Sequence, residues 1–503
     1  MTPHQWRAES SLAVVVVICA GVLRFWSLDT GIPYAVGVDE PQIMGRAVSM
    51  MKTADFNPHF FDWPSLTIYL HLAVSCATFL LGSMRGLWTN LDQIGAADMF
   101  LASRAVTAAF GTATVWLTYL VGRRWGTVEA VLAALVMAVI PNHVRESHYV
   151  LADVPTAFLT TLTFLLALRA QERSTLLAFA WAGLAAGLAA SSKYNGSIAF
   201  LFPLLAAGMT AGTPALRLQR GLVALAAAGA GFLVGTPFAV LDMPKFLNDY
   251  ARLAALFARE RGGEPGWSIY LKHLRGALGW PALVMTFAGL LIAVTRIVRD
   301  SNRVRWVLLV TFAAVYFLVM AGSYQIYGRY LLPLFPMAAI LLAVATAPAV
   351  RLLRRAPLPN RATHLLALAL VGGLIAVPAR SSIGFNRNLG RVSTVDLAYQ
   401  WIVAHVPPGS KIVLERQVLI LPAPRYASVN VTSLLEESYD DYASAGFEYM
   451  LSSAFEEAFA APQNHREAFL GYRTLFARAE RVATFYRSHN VDGPQLEIYL
   501  IRK

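Results

Sequence analysis

Charged side chains are scarce in this chain: they make up 14% of its 503 residues, against 56% for hydrophobic residues. A single water-soluble core is excluded, because this length combined with a mean hydropathy of +0.51 requires many membrane-spanning segments. The net charge of +12 comes from arginines in short clusters between apolar runs, with no basic stripe interleaved with aromatic residues. The composition therefore predicts a polytopic membrane protein without a nucleic-acid partner.

Cysteines and repeats are scarce as well. Cys19 and Cys76 both lie in apolar runs and lack the spacing of metal ligands, so we expect packing roles for them. No strong internal repeat is evident, which counts against a transporter built on inverted repeats. No small-residue cleavage pattern follows the first apolar run, so we expect an uncleaved first helix.

The apolar runs predict eleven membrane spans. A further run, residues 65–82, is about long enough to span but carries Tyr69, His71 and Ser75. Counting it as a span would put every later arginine cluster outside, so the positive-inside rule favours a position at the outer interface for it. The predicted spans are 11–23, 100–121, 127–141, 155–168, 176–190, 196–209, 221–240, 280–295, 306–321, 331–349 and 363–378.

This assignment places the N-terminus and the arginine-rich loops inside. The residues predicted to lie there are Arg7, Arg123, Arg124, Arg169, Arg173, Arg217, Arg220, Arg296, Arg299, Arg303, Arg305, Arg351, Arg354, Arg355 and Arg361. The outer face then carries Asp39, Glu40, Asp153, Lys193, Arg329 and everything after residue 380. A site assembled from separate outer loops is therefore predicted.

Two adjacent carboxylates, Asp39 and Glu40, follow the first span. Desolvating carboxylates at a membrane boundary costs several kcal/mol without a partner, so a chemical task explains them well. The alternative is that Asp39 caps a helix running through 42–51, with the acids at its positive end. The sequence alone leaves both interpretations open at even weight.

Three more residues are candidates on that face. Asp153 is either a site residue or a cap on the helix starting near Val154-Pro155, since proline is favoured at the first helical position. Lys193, in a tight turn, and Arg329, beside Tyr327, can bind a phosphate or simply be solvated. The histidines show no paired helical spacing for zinc, so we expect no metal and no other cofactor.

The composition changes near Ala379. From about 385 to 503 the chain is polar and contains short β-rich runs at 411–415 and 496–501, with a helix near Trp401 that ends before Pro407-Pro408-Gly409. We predict a membrane domain over 1–380, with a catalytic first outer loop at about 29–98, followed by an extracytoplasmic α/β domain over 385–503.

The order of short motifs resembles a known family. It is similar to the membrane glycosyltransferases of the GT-C fold, and within them to the branch of protein O-mannosyltransferases and lipid A aminoarabinose transferases. One departure is Trp63-Pro64-Ser65-Leu66, where the family usually has a basic residue or His before Pro-Pro-Leu. The matching segments are Arg24, Val38-Asp39-Glu40, 62–66, 103–105, 122–126, 149–155, 192–196 and 328–336.

The resemblance implies an inverting transferase that uses a polyprenyl-phosphate-linked sugar at the outer face of the plasma membrane. It implies Asp39 as the base, ahead of Glu40, whose role is then to orient or neutralise a nearby arginine such as Arg24. Arg24 and Arg104 match family arginines near the acid and are assigned here to the donor phosphate; ordinary interfacial snorkelling is their alternative. The acceptor is a glycan, a lipid or a protein.

Another class of membrane protein competes with this interpretation. A flippase or transporter of lipid-linked sugars is also polytopic, but it would place ionisable groups within the spans.

The outer loop from Asp242 to Gly279 is polar and rich in glycine, so it is either a mobile lid or an exposed loop with an amphipathic helix around 246–257.

Overall fold

The computed structural model describes residues 3–32, 37, 39–259, 262–357, 359–416, 419–421, 425–453, 459 and 466–502. Val38 of the predicted turn, and Glu260 and Arg261 of the predicted outer loop, lie outside these residues, as do the side chains of Arg7 and Arg354. The chain forms two compact units. The first comprises Met1–Leu28, Gln42–Ile94 and Ala102–Phe385, and the second comprises Asp29–Pro41, Gly95–Leu101 and Asn386–Lys503.

The first unit is built of α-helices joined by short 3-10 turns. The helices that contribute to it are α1 Pro3–Phe25, α2 Glu40–Thr53, α3 Leu66–Met84, α4 Ala96–Gly122, α5 Thr127–Val139, α6 Pro141–Glu146, α7 Asp153–Arg173, α8 Leu176–Ser192, α9 Leu201–Met209, α10 Pro214–Gly235, α11 Phe238–Leu241, α12 Met243–Phe257, α13 Gly266–Arg299, α14 Val304–Ala321, α15 Phe335–Arg355 and α16 Asn360–Leu389. The 3-10 helices are Leu91–Gln93, Tyr194–Phe200 and Gly328–Leu334.

Eight helical segments in the described part of the chain are long and apolar enough to cross a membrane, and four shorter ones are also apolar. Each of the eleven predicted spans overlaps one of these twelve, so the prediction of a polytopic helical membrane protein is confirmed. The twelfth is α3, the run for which the positive-inside rule favours a position at the outer interface.

Glycines allow close packing between the helices. A Cβ on Gly183 or Gly187 of α8 would stand 2.1 or 2.0 Å from the carbonyl oxygens of Ala224 and Ala228 in α10. A Cβ on Gly289 of α13 would stand 1.9 Å from the Leu341 carbonyl oxygen in α15. Since helices in a membrane associate largely by van der Waals packing, these small residues hold the unit together.

Several arginine-rich loops meet at one face of the first unit. Arg124 pairs with Glu172, and Arg305 donates a hydrogen bond to the Arg124 carbonyl, which joins the loop after α4 to the end of α7 and the start of α14. Arg351, near the end of α15, pairs with Glu129 at the start of α5 (2.7 Å). We call this the arginine-rich face. These contacts confirm that the loops lie together; which side of a membrane they occupy stays a prediction.

The start of α3 lies at the opposite face of the first unit. Thr67 in α3 contacts Ser192 at the end of α8 (3.3 Å), and Arg104 in α4 donates to the Leu28 carbonyl just after α1 (2.8 Å). A 19-residue helix is about 28 Å long, and the eleven-residue link back to α4 folds Trp88 onto Gly82 and contains a 3-10 turn. The position of α3 at the interface stays a prediction, because α3 is also long and apolar enough to cross a membrane.

The predicted outer loop over 242–279 is largely helical. Amphipathic α12 covers the stretch expected around 246–257, and its buried Asp249 accepts a hydrogen bond from the backbone of Phe61 (3.1 Å). The span predicted to begin at 280 follows a non-helical residue, Gly279 (φ +73°), which separates it from a further helical stretch that begins at Gly266. The alternative of an amphipathic helix therefore applies to α12, which packs against its neighbours, and the expectation of a mobile lid over all of 242–279 is wrong for this helix.

The second unit contains an α/β domain, as predicted. Its helices are α17 Thr394–His405, α18 Tyr439–Ser444 and α19 Arg466–Ala477, and its strands are β1 Val392–Ser393, β2 Lys411–Glu415, β3 Ala427–Val431, β4 Tyr449–Ser452, β5 Glu480–Phe485, β6 Val491–Asp492 and β7 Leu496–Leu500. The main sheet has the order β3-β2-β4-β7-β5, with β3, β2 and β4 parallel and β7 antiparallel to β4 and β5.

Both faces of this sheet are covered. The side chains of β2 alternate between two clusters, with Ile412 and Leu414 facing the side of α17 and Val413 facing the side of α18 and α19. A capping box of Ser393 and Asp396 starts α17.

Candidate active site

The loop between α5 and α7 forms one wall of the site in the first unit. Its backbone turns at Pro141, which starts the short helix α6. His143 in α6 is fully buried, and Ser147 donates a hydrogen bond to its carbonyl (2.6 Å). Burial, together with the nearby charge of Arg24, holds the pKa of His143 well below its usual value.

Arg24 is fully buried at the end of α1 and fastens this loop. Its guanidinium donates to the carbonyls of Ala20 (3.1 Å), Ala138 (3.0 Å) and Met137 (3.2 Å), and to Nδ1 of His143 (3.1 Å). Since Nδ1 accepts this bond, the ring proton of His143 lies on Nε2. The snorkelling alternative is wrong for Arg24, because its charged end is buried among backbone carbonyls.

Arg104 is also buried, with 1% of its surface exposed. Besides the bond to the Leu28 carbonyl, its guanidinium carbon lies 5.5 Å from the centre of the Tyr149 ring. It therefore links α4 to the segment after α1 and to the loop after α6, and it does not snorkel either.

Asp153 and Lys193 form the centre of the site. Lys193 Nζ lies 2.6 Å from Asp153 Oδ1, and both side chains are largely buried. Asp153 is the first residue of α7, where Ala152 holds the cap position without a side-chain hydrogen bond, so the cap interpretation of Asp153 is wrong. The sequence proposed each residue separately; the structure pairs them across forty positions.

Aromatic side chains lie next to the ion pair of Lys193 and Asp153. Lys193 Nζ lies 4.4 Å from the centre of the Tyr330 ring, within the range of a cation–π contact. The buried Tyr316 hydroxyl donates to the Tyr330 carbonyl (2.7 Å) and accepts from Nδ2 of Asn195 (2.8 Å). These bonds join the two 3-10 helices that carry Lys193's neighbours and Arg329.

A second acid lies within electrostatic reach of this centre. Burial raises the pKa of Glu146, Arg145 opposes the rise, Asp153 adds to it, and Arg329 lowers it. Arg145 Nε donates to the Glu146 carboxylate (2.8 Å), and the Arg329 guanidinium carbon lies 5.1 Å from the Tyr327 ring centre. Asp153, Lys193, Arg329, Glu146 and Arg145 are therefore one charged cluster.

Asp39 and Glu40 belong to the second unit. Helix α2 starts at Glu40, so Asp39 immediately precedes it, and the cap interpretation of Asp39 remains open. Glu40 is fully buried and accepts a hydrogen bond from the Gly37 backbone (2.6 Å). Its carboxylate is thus held against its own turn, while Asp39 is half-buried.

Sequence reasoning missed Tyr316 and the supporting role of Tyr330. Tyr316 lies within a predicted span, where a single tyrosine has no distinctive signal. Among the described residues, no group of three or more His, Cys, Asp or Glu side chains is placed to hold a metal ion.

The sequence of residues 70–247 matches the family described as dolichyl-phosphate-mannose-protein mannosyltransferases. The matched segment contains Arg104, Asp153 and Lys193, and it leaves Arg24, Asp39, Glu40 and Arg329 outside. No curated protein sequence matches the chain.

Solved structures of membrane enzymes are similar over the whole chain. ArnT from Cupriavidus metallidurans in the apo state has a TM-score of 0.60 and 15% identity, covering 98% of each chain. The same protein bound to undecaprenyl phosphate has a TM-score of 0.59 and 14% identity, covering 100% of this chain and 99% of that one. The oligosaccharyltransferase AglB from Archaeoglobus fulgidus, in complex with an inhibitory peptide and a dolichol-phosphate, has a TM-score of 0.59 and 13% identity. The match covers 98% of this chain and 74% of that one.

The chain has the GT-C fold. The match over residues 70–247 adds the enzyme class, so the prediction of a membrane glycosyltransferase with this fold is confirmed. The GT-C fold by itself assigns no role to a residue. The roles of Asp39 and of the cations stay predictions.

Proposed function

We propose that this protein transfers a sugar, with inversion, from a polyprenyl-phosphate-linked donor to an acceptor hydroxyl, with Asp39 as the base. The observation that carries the donor assignment is the Lys193 ammonium, which lies against Tyr330 and is directed by Asp153. An ammonium has three N–H donors and one is used by Asp153, so two remain to bind a phosphate. ArnT binds undecaprenyl phosphate and AglB binds a dolichol-phosphate, and both lipids are polyprenyl phosphates of the kind that this donor would contain.

In the proposed reaction the Asp39 carboxylate takes the proton from the acceptor hydroxyl. The acceptor oxygen then bonds to the anomeric carbon while the bond from that carbon to the phosphate oxygen breaks, and the phosphate leaves with the electron pair from the opposite face of the sugar. Lys193 and Arg329 stabilise the charge that develops on the phosphate, so no general acid is needed for this leaving group.

The other site residues act by positioning. Asp153 holds the Lys193 ammonium, and Glu40 fixes the turn before α2 through Gly37. Arg24 and Arg104 hold the backbone around the site through bonds to carbonyls. We therefore propose a structural role for these two arginines, and we propose that Lys193 and Arg329 bind the donor phosphate. The site lies, in this proposal, on the extracytoplasmic side of the plasma membrane.

The test is sugar transfer by purified protein in nanodiscs, with a polyprenyl-phosphate-sugar donor and a membrane extract as acceptor. Wild type is compared with Asp39→Asn, Lys193→Gln and the control Asp92→Asn, which changes an exposed acid. We expect loss of about two to four orders of magnitude in rate for Asp39→Asn, with donor binding retained, because a positioned base contributes that much. Lys193→Gln should weaken donor binding, and the control should match wild type.

Two results would contradict the proposal. Wild-type rates in Asp39→Asn would remove Asp39 as the base, and a product with retained anomeric configuration by NMR would exclude inversion. Donor movement across the bilayer without transfer, in every extract, would favour the flippase interpretation over the enzyme.

A further inference from the structure

A cavity of about 660 Å³ lies on the arginine-rich face, away from the candidate active site. Three places in the fold contribute to its lining: Gln171 and Glu172 near the end of α7, Met209 at the end of α9, and residues 301–303 between α13 and α14. All of these residues belong to the first unit. Because α7 and α13 are long and apolar enough to cross a membrane, we expect their ends, and with them the cavity, at the level of the lipid head groups.

Two arginines give the cavity its charge. Arg217 and Arg303 line it, and neither has a carboxylate partner among the described residues. Arg217 uses only its Nε, which donates to the Thr210 carbonyl (3.1 Å), so its two terminal nitrogens are available. The other cations that organise this face are committed, Arg124 to Glu172 and Arg305 to Asp300 (2.9 Å).

The carboxylates near the cavity are neutralised by the same pairs. Glu172 lines the cavity but binds Arg124, and Asp300, just before the lining residues, binds Arg305 and the Trp306 indole (2.7 Å). The cavity therefore has a surplus of two positive charges. A phosphate monoester or diester fits such a pair, because guanidinium groups bind its oxygens through parallel hydrogen bonds.

The remaining lining residues indicate which phosphate compound fits. Met209 and Val304 provide an apolar side, whereas Gln171, Ser301 and Asn302 provide uncharged polar groups. This combination matches the boundary between the head group and the acyl chains of a lipid. A zwitterionic head group carries a positive charge in addition to its phosphate. The carboxylates near the cavity are already paired with arginines, so none is left to bind that positive charge.

We propose that this cavity binds the head group of one anionic glycerophospholipid from the leaflet on the arginine-rich face. The lipid joins the first turn of α10 to the link between α13 and α14 by binding Arg217 and Arg303 together. The opposing interpretation is that both arginines are simply solvated and only fix the orientation of the protein.

The experiment measures lipid binding by the full-length protein. Protein purified in mild detergent is titrated with phosphatidylglycerol and, separately, with phosphatidylcholine, and bound lipid is counted by native mass spectrometry. We compare wild type with the double variant R217Q/R303Q and with the control R169Q/R299Q, which removes two exposed arginines of the same face that do not line the cavity.

We expect wild type and control to bind one phosphatidylglycerol in preference to phosphatidylcholine. Each cation near an anionic lipid contributes about 1 kcal/mol, so R217Q/R303Q should bind phosphatidylglycerol about 30-fold more weakly. Arg303→Gln alone removes an exposed side chain at no packing cost and should weaken binding about fivefold with an unchanged Tm.

Three outcomes would overturn the proposal: equal phosphatidylglycerol binding by wild type and the double variant, equal loss in the control pair, or displacement of the lipid by millimolar inorganic phosphate. The last would make the cavity a site for a water-soluble anion. Because none of these variants touches the candidate active site, sugar transfer reports separately on the proposed function.

Discussion

Lys193 and Asp153 meet in an ion pair of 2.6 Å, with 13% and 5% of their side-chain surfaces exposed. Removing one partner leaves the other charge buried without compensation, at a cost of about 3–5 kcal/mol. We therefore expect Lys193→Met and Asp153→Asn each to lower the free energy of unfolding by about that amount, measured by denaturant unfolding in detergent.

The double variant K193M/D153N separates stability from function. Because both charges are lost together, it should regain at least half of the lost stability while transfer stays absent. A double variant as unstable as the sum of the two single variants would contradict the pairing. Asp440→Asn, which breaks the exposed pair with Arg478, is the control and should leave unfolding unchanged within error.

Arg24→Lys should destabilise the protein without weakening donor binding in the molecules that remain folded. Lysine cannot reach the carbonyls of Met137 and Ala138 and Nδ1 of His143 at once, because it lacks the planar fork of a guanidinium. Each buried polar group left without a partner costs about 1–3 kcal/mol. The measurement is Tm together with the affinity for undecaprenyl phosphate; a large loss of affinity at an unchanged Tm would instead support the predicted phosphate contact.

Gly187→Ala should lower stability by about 1–3 kcal/mol, the usual cost of overpacking. The added Cβ would stand 2.0 Å from the Ala228 carbonyl oxygen, so α8 and α10 have to separate. The matched control is Gly229→Ala in α10, where a Cβ meets nothing within 4 Å. Thermal unfolding of both variants tests this, and equal Tm values would show that the close approach of the two helices is not needed.

Stability should fall as the pH drops from 6.5 to 4. Burial, partly offset by the hydrogen bond from Nδ1 to the Val144 carbonyl, lowers the pKa of His148 to about 4. The unfolded chain, with a histidine pKa near 6.5, binds more protons in this window, so acid favours unfolding. The loss approaches about 3 kcal/mol at pH 4 and does not grow below it.

The check for His148 is the slope of unfolding free energy against pH. His148→Asn retains a donor near Nδ1 but does not titrate, so its slope between pH 6.5 and 4 should be shallower than that of wild type. His489→Asn changes an exposed histidine of the second unit and should retain the wild-type slope. Identical slopes for all three proteins would exclude His148 as the acid-sensitive group.

The apolar runs predicted the membrane helices well because a span must satisfy its backbone internally and present apolar side chains along its length. The strand over 411–415 and the helix before Pro407 were equally readable from local patterns. The ion pair between Asp153 and Lys193 could not be predicted from local patterns, because no local pattern links residues forty positions apart. Arg24 matched a family arginine in sequence, yet only the fold shows that carbonyls at the end of α5 use its guanidinium.

The contacts of the arginine-rich face limit how the helices of the first unit can move. Contacts at this face fix the end of α4 to the end of α7 and the start of α14, and the end of α15 to the start of α5, so we expect these ends to act as a pivot. Any tilt of a helix about a pivot displaces its far end most. The opposite ends carry the 3-10 turns Tyr194–Phe200 and Gly328–Leu334, whose hydrogen bonds are weaker than those of an α-helix. Opening of the first unit to admit a lipid would thus be greatest beside Lys193 and Arg329, while the arginine-rich end stays closed.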